Sequence, residues 1–249
     1  ASLLPNARIN MSTGKNNFIV KMLNKYGYGI KSVDLDMNTS SLAGINGSLH
    51  IDSLTIDSIL LDTINFAIQS DSVRSTYRAQ VRNNEHNPRY TFNALVDGAI
   101  HDKGTYMGTR LFDAEGNLGL RLGVAATLED NGFMFRNYGK EPILGYTDFH
   151  INKDNYVFLG NDKRISADVV LKADNGTGIQ VYSHDEDSTL LQDLTLSINK
   201  FDLKRILSVI PYMPDISGII NGDFHIMQSE KDLSVSSNLE VGNLVYETS

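Results

Sequence analysis

The chain has 249 residues, 41% of them apolar, enough to bury a core and too apolar for a disordered tail. Its net charge is −8 and its 22 Lys and Arg residues are scattered, without the cluster that phosphate contacts require, so nucleic acid is excluded as a partner. Cysteine is absent, which removes disulfides, thiolate metal sites and a thiol nucleophile, and no run approaches the roughly 18 apolar residues of a membrane helix.

Arg8-Ile9-Asn10-Met11 reads as a first strand, already in mid-pattern, so the chain is expected to be a segment of a longer protein. Asn16 to Tyr26 reads as a helix with Phe18, Ile19, Met22, Leu23 and Tyr26 on one face and Gly27 closing it. Val33-Asp34-Leu35-Asp36-Met37 then starts the pattern that fills most of the sequence. Apolar and polar residues alternate over five to eight positions and break at Gly, Asn or Asp, as in half-buried strands joined by tight turns. Turns are expected at Asn46-Gly47, Asp97-Gly98, Glu115-Gly116, Asn131-Gly132, Asn175-Gly176 and Asn221-Gly222.

From Ile51 to Phe66 the apolar residues recur at steps of three and two. This is a five-residue beat, read as two or three strands whose facing is reset by bulges at Asp52-Ser53, Asp57-Ser58 and Asp62-Thr63, with a small β-helix as the alternative. A sub-boundary is expected near residues 84–89 within a single elongated region spanning 1–249. Between Tyr106 and Tyr138 the glycines, and Leu118-Gly119-Leu120-Arg121-Leu122-Gly123-Val124, fit a closed sandwich equally well. Asp168 to Ala173 and Leu194 to Ile198 alternate cleanly. Asp202 can cap a second short helix that places Leu203, Ile206, Leu207 and Ile210 on one face before Pro211 stops it, with Phe201 stapled onto Ile206. The chain ends in further alternation at Leu239 to Tyr246.

An internal repeat overlies these elements. Ile45-Asn46-Gly47-Ser48-Leu49-His50-Ile51 recurs as Ile220-Asn221-Gly222-Asp223-Phe224-His225-Ile226, with weaker copies ending at His101 and at His150-Ile151. The histidines are spaced by near-multiples of about 25 residues, one hairpin with its turns. That spacing puts them on different hairpins and no carboxylate keeps a fixed offset from them, so no metal site is expected. His184-Asp185-Glu186-Asp187 lacks the Gly and distal Glu of a calcium loop. No nucleophile elbow, phosphate loop or His-Glu-x-x-His is present, and the chain is expected to be non-enzymatic and without cofactor.

Asp followed by Ser or Thr recurs at Ser53, Ser58, Thr63, Ser72 and Ser188. This looks like the O-glycosylation sequon of exported proteins in Bacteroides-type bacteria, and the same dipeptides also make good turns and bulges.

Leu194 to Tyr246 carries a more specific resemblance. An amphipathic strand leads into Phe201-Asp202-Leu203-Lys204-Arg205-Ile206-Leu207 and a Pro-containing turn. Ile216-Ser217-Gly218-Ile219-Ile220-Asn221-Gly222 and alternating strands follow, and Ser41 to Ile64 resembles a less complete copy. This run is similar to a recurring unit of the TamB/AsmA-like family. The resemblance implies an all-β chain with two short helices: a long curved antiparallel sheet, open as a groove, with a closed β-sandwich as the alternative. It implies the periplasmic region of a protein anchored in the inner membrane, moving phospholipid or assembling proteins at the outer membrane. Its partners would be phospholipid acyl chains and an outer-membrane barrel protein of the Omp85 type. The groove is expected to be lined by Leu49, Ile51, Phe149, Ile151, Leu194, Leu196, Ile198, Phe224, Ile226, Leu239 and Val241. An envelope adhesin or carbohydrate-binding sandwich is the alternative function.

Overall fold

The structure, a computed structural model, describes residues 6–14, 16–56, 59–83, 91–184 and 189–247. Among the described residues it holds eighteen strands, paired antiparallel, and two short helices. A long antiparallel sheet is what the alternation predicts. The chain divides into two compact units, Ala1–Asn117 and Leu118–Ser249. The sub-boundary expected at 84–89 lies outside the described residues.

The first unit is a simple meander. Its strands are β1 (Ala7–Thr13), β2 (Tyr28–Ser40), β3 (Gly44–Ile56), β4 (Ile59–Ser70), β5 (Arg74–Asn83), β6 (Phe92–His101) and β7 (Gly104–Phe112), each paired with the next in sequence. Helix α1 (Phe18–Lys25) lies between β1 and β2, and the Asn17 side chain caps it by accepting from the Ile19 N–H at 2.8 Å. The expected apolar face of this helix is largely outside. Val20 is fully buried and Leu23 half-buried, whereas Phe18, Ile19, Met22 and Tyr26 are exposed. An i, i+3 pair suffices to seat two turns, and the wider stripe has nothing to lie on among the described residues.

The second unit pairs β8 (Leu118–Glu129) with β9 (Gly132–Asn137), and β9 with β13 (Tyr156–Gly160). From there it runs in order through β14 (Ile165–Lys172), β15 (Gly178–Ser183), β16 (Leu190–Asp202), β17 (Asp215–Ser229) and β18 (Leu233–Glu247). Three two-residue strands intervene: β10 (Ile143–Leu144), β11 (Thr147–Asp148) and β12 (His150–Ile151). β10 pairs with the start of β8, beyond the stretch that β9 occupies, and β12 shares one edge of β14 with β13. Helix α2 (Leu203–Leu207) follows Asp202, whose carboxylate accepts the Arg205 N–H at 3.2 Å as the sequence predicts.

Half of the expected Gly turns are strand interiors. Glu115-Gly116, Asn131-Gly132 and Asn175-Gly176 do lie at chain reversals, but Asn46-Gly47 sits inside β3, Asp97-Gly98 inside β6 and Asn221-Gly222 inside β17. The reason is steric. A Cβ on Gly98 would run into the Tyr106 carbonyl oxygen and come within 2.7 Å of Tyr77 Cζ. One on Gly222, whose φ is +129°, would strike the Asn238 carbonyl. These glycines let a neighbouring strand approach.

The bulge expected at Asp52-Ser53 is not formed: Ser53, with φ +59°, is skipped in the ladder, but β3 keeps one register with β2 and with β4 on either side of it, so no extra residue is inserted. In register with Ser53, the Asp62 N–H donates to the buried Asn83 side chain at 3.0 Å. Asp57-Ser58 lies outside the described residues.

Candidate functional site

Side chains alternate across a strand and face their cross-strand partners, so the register converts the alternation into two continuous faces. In the second unit Leu194 faces Ile226, Leu196 faces Phe224 and Ile198 faces Gly222. Beyond them Ile226 faces Val235, Gly222 faces Leu239 and Ile220 faces Val241. On the other side Leu196 and Ile198 face Val181 and Ile179, these face Val169 and Leu171, and Ile151 faces Leu171. The row continues through Val157 and Leu159 to Phe135 and Phe133, and then to Ala126 and Leu128. Eight strands thus share one apolar face. Seven strand intervals of about 4.8 Å make it about 34 Å wide.

The first unit repeats the arrangement. Leu49 lies between Leu35 and Phe66, and Ile51 between Val33 and Ile64. Val81 and Ala79 extend the row to Ala94 and Val96. The reverse face carries Asp34, His50 and Asn65 side by side.

Most of this apolar face is half-buried and parts are open: Leu128 is 53% exposed, Phe133 46% and Leu239 48%. Only eight apolar residues of the described chain are buried outright. The chain exposes 15817 Å², where a compact protein of its 27.6 kDa exposes about 11,000 Å² and two separate halves together about 13,300 Å². Of the expected lining residues, Phe149 is the exception. It is 1% exposed, and its N–H donates to the Pro142 carbonyl at 2.9 Å, so it is buried and not on the half-open face. The chain between β11 and β12 turns it inward.

The candidate glycosylation residues differ among themselves. Ser53 and Thr63 are half-buried within β3 and β4, Ser72 is exposed in the β4–β5 turn, and Ser58 and Ser188 lie outside the described residues. At Ser72 the preceding Asp71 accepts from the N–H groups of Val73 and Arg74 at 2.8 and 2.9 Å. These bonds hold its carboxyl below the usual range.

The repeat histidines do not meet. His50 bonds Asn65 at 2.7 Å on β4, His101 ends β6, and His150 lies 3.1 Å from Glu141. His225 does meet other ligand-type groups, through residues outside the repeat. Its Nε2 lies 2.7 Å from Asp193 Oδ1, and Nδ1 of His184, just past β15, lies 3.4 Å from the same oxygen. Bonds from His225 and then His184 hold the Asp193 carboxyl below its ordinary value, against the effect of burial. Motif spacing misses this trio because it depends on register. His184 is cross-strand neighbour to Asp193, continuing the ladder that pairs Ser183 with Leu194, and His225 sits diagonally on β17.

Among the described residues no helix is long and apolar enough to cross a membrane. No protein-family model, curated protein or solved structure matches the chain.

Proposed function

We propose that the chain is a non-enzymatic carrier segment whose apolar sheet face holds the acyl chains of phospholipid. The observation that carries this reading is the face itself: continuous over eight strands of one unit, aliphatic and phenyl in composition, and left half-open. An apolar face of this extent in water needs a cover, and two helices of eight and five residues are too small to supply it. An acyl chain fits the dimensions. One leaflet of a bilayer core is about 15 Å deep, so whole chains can lie along a face about 34 Å wide. The polar reverse face suits an aqueous compartment on the other side of the sheet.

The resemblance of Leu194 to Tyr246 to the TamB/AsmA-like unit supports placing the segment in the periplasm. There it would belong to an inner-membrane-anchored bridge that works with an outer-membrane barrel partner. The adhesin alternative calls for aromatic rings gathered in loops; exposed Tyr138 and Tyr146 do lie between strands, but the continuous apolar face is built by the strands.

The test is native mass spectrometry with solvent extraction on the chain purified from bacterial cells without detergent. Phospholipid should co-purify with the wild type and with the reverse-face variant Gln180→Glu. It should be lost from Leu196→Asp and Phe224→Asp while the β circular-dichroism spectrum is kept. A folded, lipid-free wild type overturns the reading.

A further inference from the structure

The face opposite the apolar one carries a second arrangement, where three adjacent strands bring two imidazoles and a carboxylate to one point. Asp193 extends from β16 with its side chain only 13% exposed, flanked by His184 just past β15 and His225 on β17. One ligand atom from each, two imidazole nitrogens and a carboxylate oxygen, lies within 4.8 Å of the other two. Tyr182, on the same face, meets the His184 ring edge-on at a centroid distance of 5.0 Å. Thr195, 7% exposed, lies cross-strand to both Tyr182 and His225.

We propose that His184, Asp193 and His225 form a binding site for a divalent transition-metal ion of the zinc class, tying β15, β16 and β17 together on the polar face. Tetrahedral ligands at about 2.0–2.1 Å from an ion are about 3.4 Å from each other. The His184–Asp193 separation of 3.4 Å already has that value, and the 2.7 Å between His225 and Asp193 needs to open by about 0.7 Å. Both imidazoles converge on the same carboxylate oxygen. As a hydrogen-bond network this requires both rings to donate to one atom; around a cation all three groups offer lone pairs to a common centre. Two imidazoles and one carboxylate favour zinc, nickel or copper over calcium or magnesium, whose sites are built of oxygen. Three protein donors leave a fourth position for water.

The experiment uses the whole chain, stripped with a chelator and titrated with Zn²⁺ by calorimetry. Co²⁺ serves as a spectroscopic probe, because its four-coordinate form has intense visible bands. One Zn²⁺ should bind per chain, the cobalt bands should appear, and Zn²⁺ should raise the melting temperature reversibly. His184→Ala and His225→Ala should each weaken binding by at least about 100-fold, since loss even of groups behind the ligands costs 10–100-fold. His150→Ala, which alters a histidine with two carboxylates nearby but outside this trio, should bind like the wild type. Absence of stoichiometric binding overturns the proposal, and so does binding that survives in the His184→Ala/His225→Ala double variant or is lost in His150→Ala. Circular dichroism of each variant separates loss of the site from loss of the fold.

Discussion

At the scale of single residues, two kinds of sequence signal share one appearance. Asn-Gly and Asp-Gly mark turns when glycine supplies a positive φ, and mark strand interiors when glycine clears the way for a neighbouring backbone. Residue type alone does not separate them; the partner strand does, and its register is a tertiary fact. Gly98 and Gly14 show the difference. A Cβ at Gly98 meets the Tyr106 carbonyl and the Tyr77 ring, whereas one at Gly14 meets nothing within 4 Å and φ there is ordinary. Gly98→Ala should therefore cost about 1–3 kcal/mol through overpacking. Gly14→Ala should be neutral or stabilising by up to about 1 kcal/mol, because it restricts the unfolded chain. Urea midpoints of the two variants check this, and equal midpoints would show that β5, β6 and β7 do not approach so closely. The Asp-Ser signal divides in the same way. At Asp71 the carboxylate has a local task, holding the Val73 and Arg74 amides, that explains the dipeptide whether or not Ser72 is modified.

At the scale of elements, alternation was the most legible feature of the chain, since a period of two fixes which residues share a face without knowledge of the partner. Leu194, Leu196 and Ile198, or Phe224 and Ile226, could be grouped from sequence for that reason. The trio of His184, Asp193 and His225 could not, because it needs the β15–β16 register and a diagonal step to β17. The cap of α2 was legible as well, since Asp202 caps as its residue type predicts, whereas the Asn17 cap of α1 fell inside a helix read as starting at Asn16. Nor was the burial of α1 legible. Five apolar residues outvoted one valine in the periodic pattern, yet the helix seats itself on that valine. Val20→Ala should cost about 2 kcal/mol, the transfer of two methyl groups plus the space they leave, and Phe18→Ser less than about 0.5 kcal/mol despite the larger side chain. Thermal melts of the two variants decide it. The reverse order of costs would mean that the Phe18 face is the buried one.

At the scale of the whole molecule the controlling quantity is surface. A chain of 27.6 kDa exposes about 40,000 Å² unfolded, so 15817 Å² folded means that about 60% is buried, the fraction typical of a domain of about 60 residues. Burial drives folding, and a chain that leaves so much of its apolar face half-open gives up stability that a closed core would supply. A ligand that covers the face returns part of it by mass action. Dodecyl maltoside, below the concentration at which it forms micelles, presents an alkyl chain on a neutral headgroup. Bound at 100 times its dissociation constant it adds about 2.7 kcal/mol, equivalent to roughly 5–10 °C in melting temperature for a chain of this length. Maltose alone should do nothing, and Leu196→Asp should blunt the rise, because a carboxylate in the middle of the apolar row repels the alkyl chain. A melting temperature that stays flat or falls as the detergent is added would mean that the apolar face gains nothing from an alkyl cover. The chain's stability would then have to come from strand pairing and from the few side chains it buries outright.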